Sequence, residues 1–595
     1  MKRWKLLPLL FICLAVRLPA LTAFSAAELR APPSPARLAE IERAAAPAGW
    51  HDLAPPLRAA AFRAYEMGSN FAGDWFLISR WAEIFAMTNG EFLPQWAAAI
   101  KAAHVDHPSM SIDYPADQHP LADEASPALQ AWLLGHPDFS AQFFSLLSPC
   151  DLLPKSLAIL SDLQARYPNK FPVYASLALA IAVVYDVAPP PNWPHAQVEA
   201  SVLPRQLPTP ANAFAFWVHA DETHQTLQPL SLLSVAELKF VVDAAAPAPE
   251  LVWAENNIST PLENFDHLYG MVRYRVDRVQ QEQYVWPESS YDLPTILDKG
   301  GICVDQAYFS SEVGKAKGVP TLLFAGAGRD GWHAWFGYLD QDRHWQLDAG
   351  RYANQQLVTG FALDPQTWGL ISDHELKFLS EGFRLLPSWR QACMNADFAA
   401  AYLSLGQPAA AARAARAAVN YESRHLDAWE TLLAAQTRLG AGPMDIENML
   451  REMKFAFRNY PDIEAAIIHR IAKSLRARGQ ASAADFEERQ FVHKVEPVRS
   501  DLGIDHDAEV MRQSMEHDLP GGQWGTYGAL LKADGKDGGV EFFDRIVLPF
   551  VEHLEHEGHA KQAAVAAMQA KQVMNIEPNS QLEGDMQALQ ARLGN

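Results

Sequence analysis

Three residues between positions 303 and 348 have the types and the order that thiol chemistry needs: Cys303, His333 and Asp348. In YDLPTILDKGGICVDQAYFSSEVGKAKGVP two glycines precede a stretch predicted as a helix from about 304 to 317, closed by Gly318 and Pro320. Cys303 therefore opens a helix. There, unpaired backbone amides and the positive end of the helix dipole favour thiolate over thiol, which a nucleophile requires. His333 in WHAWFGYL and Asp348 in HWQLDAGRY fall on successive β-like runs that follow TLLFAGAG. A hairpin turning around Gln341 and Asp342, with a loop of two or four residues, sets Asp348 opposite Trp335 and diagonal to His333 on one sheet face. In that register the carboxylate holds the imidazole in the tautomer that accepts the thiol proton. A slip of one residue would part them.

Taken singly, each residue has an ordinary structural use: a cysteine packs at a helix start, a strand histidine bonds a backbone carbonyl, an aspartate caps a turn. Their joint order and spacing make the catalytic use the better explanation. The stretch from about 262 to 360 resembles the transglutaminase-like superfamily of papain-type thiol enzymes. The resemblance rests on Gly301-Ile302-Cys303, Gly318-Val319-Pro320, His333-Ala334-Trp335 and Asp348, about 100 of the 595 residues. It implies that Cys303 is the nucleophile, His333 the base and then acid, and Asp348 the group that orients it. The Cys303 backbone amide is then one oxyanion donor, and the Trp286 indole is a candidate second. The arginine that the superfamily often has after Gly-Val-Pro-Thr is Leu322 here, which bears on substrate recognition more than on chemistry. The implied reaction is attack on an amide carbonyl through a thioester. Water as acceptor gives a peptidase or amidase, the favoured reading; a lysine amine gives a transglutaminase. A third alternative is a non-catalytic protein-binding scaffold.

The elements that must position these residues sit in a chain too long for one core. The expected architecture is multidomain and mainly α, with a central α+β transglutaminase-like (papain-like) domain flanked by helical domains. Residues 28–245 read as helices separated by proline-rich breaks such as PPSP, APPPNWP and LPRQLPTP, and residues 246–390 hold the α/β texture. That texture begins with LENFDHLYGMVRYRVDRV, read as helical. Residues 391–595 turn alanine-rich and helical. LeuGly recurs at 405–406 and 439–440, an interval of 34 that loosely resembles tetratricopeptide repeats and offers a surface for a protein partner. Residues 495–545 read as a loop-rich insertion.

The first residues, MKRWKLLPLLFICLAV, place three basic residues before an apolar run from Leu6 to Val16, the form of a signal peptide ending between Ala23 and Ala27. Export to a periplasmic or extracellular setting is expected, with no lipid anchor at Cys13 and no later membrane span. Removal of residues 1–27 leaves Cys150, Cys303 and Cys393, an odd number that keeps at least one thiol free or bridged to another chain. With 70 acidic against 49 basic residues the formal charge is -21, which argues against nucleic acid as a partner. A peptide or protein substrate is the expected partner, and neither cofactor nor metal is expected. GAGRDG at 326–331 reads as a hairpin turn, because an aromatic β-like run follows where a dinucleotide site needs a helix. ADGKDGGV from residue 533 lacks the oxygen ligands of a calcium loop, and HLEHEGH at 553–559 lacks the spacing of a zinc protease motif.

Overall fold

Helix starts follow directly from the proline-rich breaks. Ser34, Ser126 and Thr209 each precede a proline, and each side chain accepts a hydrogen bond from the backbone N–H three residues on. Proline occupies the first helical position, where its missing N–H costs nothing, and the hydroxyl satisfies a donor that the helix leaves open. The computed structural model describes residues 21–103, 118–203, 205–351, 359–495 and 499–594. Most of the expected signal segment, residues 1–20, lies outside them, as does Cys13.

Two compact units divide the chain, one ending at Asp186 and the other starting at Val187. The first is helical, with Trp81 buried among Phe85, Phe143 and Phe144. Its most apolar stretch forms the Ala175–Val184 helix, buried from Leu177 onward. Among the described residues no helix is long and apolar enough to cross a membrane.

The second unit is also mainly helical and holds one small antiparallel sheet. Its strands are β1 (Thr321–Ala327), β2 (Trp332–Leu339), β3 (Trp345–Ala349), β4 (Phe361–Leu363) and β5 (Leu370–Ser372), in the order β3-β2-β1-β4-β5. GAGRDG is the β1–β2 turn, closed by the Gly328 N–H on the Gly331 carbonyl. The segment read as one helical domain over 28–245 is divided, since residues from 187 on belong to the second unit, where the Phe240 ring lies 5.5 Å from that of Trp345 on β3. Lys239 pairs with Asp364 at 2.6 Å, Lys315 pairs with Asp243, and the Trp286 backbone N–H donates to the Gln197 carbonyl.

Two other readings need correction. The stretch read as helical through 262–279 breaks into short turns, with helices at His267–Met271 and Val276–Gln280. Between them the chain is extended, because Tyr274 forms a parallel bridge with Gly301. Residues 495–545 are not a loop-rich insertion but carry helices at Ser500–His517 and Pro520–Ala533. Their glycines lower helix propensity, but burial of Met511, Tyr527 and Leu531 in one apolar cluster with Phe543, Val547 and Phe550 outweighs it. After residue 386 the helices run in succession as Pro387–Ser404, Pro408–Tyr421, Leu426–Arg438, Pro443–Ala456 and Pro461–Ala477, and the two LeuGly pairs follow the first and third.

Candidate active site

Cys303 is the first residue of the Cys303–Ala316 helix, preceded by extended Ile302. The helix starts there because Asp305, at its third position, accepts from the Ile302 backbone N–H at 2.8 Å. The preceding Gly301 is tied down from the other side. Its N–H donates to the Arg273 carbonyl and its own carbonyl accepts from the Arg275 N–H.

The partly exposed Cys303 thiol lies near the backbone N–H groups of Ala334 and Val304, which favour its anion. Ala334 follows His333 on β2, so the thiol faces the strand at the histidine's position. Burial pushes the thiol above its ordinary value, and those N–H donors offset only part of the rise. The direction is opposite to the one expected from the helix start alone, because desolvation of a sulfur anion outweighs the field of one helix turn.

His333 is buried, and its Nε2 lies 2.8 Å from the Gly350 carbonyl oxygen. A carbonyl only accepts, so Nε2 carries the proton and Nδ1 is the basic nitrogen of the neutral ring. Burial holds its pKa below the ordinary range, the Gly350 bond raises it in part, and Arg351 lowers it further. Gly350 is placed by its surroundings. Its φ is +94°, and a Cβ there would meet the Tyr269 ring at 2.5 Å. Tyr269 in turn donates its hydroxyl to the Ala334 carbonyl at 2.8 Å. Arg351, 4.1 Å over the Trp335 ring and 2.6 Å from Asp373, anchors the chain just beyond Gly350.

Asp348 does not take the place expected for it. The β2–β3 turn spans residues 340–344, and the ladder then shifts register between Phe336 and Tyr338. The expected register set Asp348 opposite Trp335; in the structure Ala349 pairs with Phe336, and Leu347 gives its carbonyl to the Trp335 indole N–H. The Asp348 side chain is 69% exposed and pairs with Arg351 at 2.9 Å. The group that His333 Nε2 meets is the Gly350 carbonyl, not the Asp348 carboxylate.

Trp286 is likewise not placed as an oxyanion donor. It is buried, packed on Tyr291, and its indole N–H already donates to the Ser290 carbonyl at 2.8 Å. The Cys303 backbone N–H, the other expected donor, remains at the open start of the helix.

Several residues of the site lay outside the sequence reading: Gly350, Tyr269, Arg351, and the buried pair of Arg278 with Asp305. Asp305 carried a legible signal, an acidic residue at the third position of a helix start. A backbone carbonyl as orienting group carries no residue-type signal. Cys150 and Cys393 are free, like Cys303. Among the described residues no group of three or more His, Cys, Asp or Glu side chains could hold a metal ion. A cavity of about 520 Å³ lies elsewhere, in the C-terminal helices, between Arg416, Arg424, Trp429, Phe455 and Arg458.

Set against protein-family models and against curated proteins, the chain matches none.

Proposed function

We propose that this protein is an exported thiol enzyme of transglutaminase-like fold that acts on amide bonds of peptides or proteins, with Cys303 as nucleophile and His333 as base. The observation that carries the reading is a pair of placements: Cys303 lies near the Ala334 N–H, next to His333 on β2, and His333 Nε2 bonds the Gly350 carbonyl. The first sets the thiol beside the histidine's strand position; the second puts the ring proton on Nε2, so Nδ1 is the basic nitrogen of the neutral ring.

Burial raises the thiol and lowers the imidazole, so the resting pair is neutral. The chemistry is therefore general-base catalysis. The thiol proton passes to His333 as sulfur bonds to the carbonyl carbon. The C–N bond then breaks, the leaving amine takes the proton from His333, and a thioester remains. Water, deprotonated by His333, attacks the thioester, releases the acid and restores the thiol. A lysine amine in place of water would give transfer instead, the alternative of the same class. The C-terminal helices, read as tetratricopeptide-like, supply a surface for a protein partner, and export places the substrate in a periplasmic or extracellular setting.

The competing reading is a binding scaffold, which the outward turn of Asp348 and the raised thiol favour. Incubation with a mixed peptide library separates the two. New peptide termini or released ammonia, absent with Cys303→Ala, support the enzyme. No product from the wild type under reducing conditions, with peptides retained equally by both proteins, supports the scaffold.

A further inference from the structure

Asp305 lies two residues from the nucleophile and is fully buried, with Arg278 almost so. A carboxylate in that place has a cost for the chemistry, because its negative charge opposes a thiolate on the same helix turn. Its surroundings are built to answer that charge. Arg278 Nη1 reaches Asp305 Oδ2 at 2.7 Å, the Ile302 N–H donates to the same oxygen at 2.8 Å, and the Tyr291 hydroxyl donates to Oδ1 at 2.9 Å. Behind Tyr291, His195 Nε2 lies 2.9 Å from the hydroxyl oxygen. Since that hydroxyl gives its proton to Asp305, His195 donates to it, and the chain of donors runs one way toward the carboxylate.

Arg278 does a second task. Its Nε and Nη2 donate to the carbonyls of Gln283, Tyr284 and Val285, and its guanidinium lies 5.4 Å from the Trp286 ring centre. The loop over residues 283–286 and the start of the nucleophile's helix are thus fastened to one guanidinium.

Resting on the reading of Cys303 as nucleophile, we infer that Arg278, Asp305 and Tyr291 form its positioning device: Asp305 fixes the helix start that carries the thiol, and Arg278 and Tyr291 neutralise the charge that this cap brings beside it. A buried carboxylate needs such partners wherever it sits; what is particular here is its place, two residues from Cys303 on the same helix turn. The other ionisable neighbours are Tyr308, whose ring lies 4.8 Å from that of Tyr291, Arg205 beside His195, His333 flanked by Arg351, and Tyr269 on the Ala334 carbonyl. None of them touches Asp305 in the contacts above.

The test is the pH midpoint of Cys303 alkylation by iodoacetamide, mapped by mass spectrometry in the full-length protein. Arg278→Gln leaves the carboxylate's field unanswered, and the midpoint rises by about one unit. Asp305→Asn removes the negative charge, and the midpoint falls by a similar amount. The double variant returns close to wild type, and Arg278→Lys, which keeps the charge, stays within a few tenths of a unit. A merely structural pair predicts otherwise: either single variant loosens the helix start, exposes the thiol and moves the midpoint the same way. Shifts of one sign, or no shift in either variant, overturn the inference. If Arg278→Gln does not fold, Tyr291→Phe keeps the ring packing and removes one donor. Its midpoint rises by a smaller amount, and an unchanged midpoint overturns the inference as well. Failure of the underlying reading looks different, because it shows as wild-type and His333→Ala proteins alkylated at Cys303 at equal rates, whatever Arg278 and Asp305 do.

Discussion

His333 is oriented by the carbonyl oxygen of Gly350, 2.8 Å from Nε2, and not by the Asp348 carboxylate two residues before it. Asp348→Asn is accordingly predicted to change Cys303 reactivity by less than twofold and stability by less than about 0.5 kcal/mol, since the carboxylate is mostly exposed and Arg351 keeps Asp373 as its partner. Gly350→Ala is the consequential change. A Cβ would enter the space of the Tyr269 ring at a positive φ, so the strand end must shift and the His333 bond with it. We expect a loss of about 1–3 kcal/mol in chemical denaturation together with slower Cys303 alkylation. Loss of reactivity in Asp348→Asn with none in Gly350→Ala would reverse the assignment.

Glu312 sets a pH dependence. It is buried on the Cys303–Ala316 helix, accepts from the Ala246 N–H at 2.8 Å, and burial pushes its carboxyl up to about 7. A carboxyl whose folded pKa exceeds its unfolded value near 4.5 binds a proton more tightly in the folded state. Its contribution is fully present below about pH 4.5 and is lost as pH rises through about 7. Glu312→Gln removes that dependence and is predicted to protect the helix above pH 7 by up to about 3 kcal/mol. Hydrogen exchange over residues 303–316 at pH 5 and pH 8 reads the effect. Equal pH dependence in both proteins would contradict it.

The β1–β2 turn, which leads into His333, rests on the C-terminal helices. Gln581 Oε1 accepts from the Trp332 N–H at 3.0 Å, and the Leu582 N–H donates to the Asp330 carbonyl. Gly539 has φ +58°, and a Cβ there would come within 2.8 Å of the Arg329 backbone. Gly539→Ala is predicted to loosen this docking, seen as faster hydrogen exchange over residues 328–333 with exchange in 35–186 unchanged. Unchanged exchange at the turn would mean that the helices give it no support. On the same ground, deleting residues 392–595 is predicted to harm the sheet itself.

Local signals in the sequence reached far but stopped at the ladder. The helix opened by Cys303, the strand of His333 and the GAGRDG turn were legible because each depends on neighbours a few residues away. The position of Asp348 depended on the length of the 340–344 turn and on a register shift, and one residue of error in either changes which face a side chain takes. Trp286 illustrates the other limit. Its type suited an oxyanion donor, but whether an indole N–H is already used by a nearby carbonyl is settled by loop geometry. Strands β4 and β5 have three residues each, too few for any periodicity to register. The backbone at 272–275 and 500–533 is not legible from local sequence because long-range partners, Gly301 in one case and an apolar cluster in the other, decide it.

The most direct test of the central claim is the rate of Cys303 alkylation by iodoacetamide near pH 8 in reduced wild-type and His333→Ala proteins, with Cys393 as internal reference. Burial pushes the Cys393 thiol up to about 12 without a histidine base assigned to it. If His333 takes the proton from Cys303, the mutation slows Cys303 labelling at least about tenfold, within the range of general-base assistance, and leaves Cys393 unchanged. Equal rates at Cys303 in the two proteins would contradict the account and leave the thiol a packing residue.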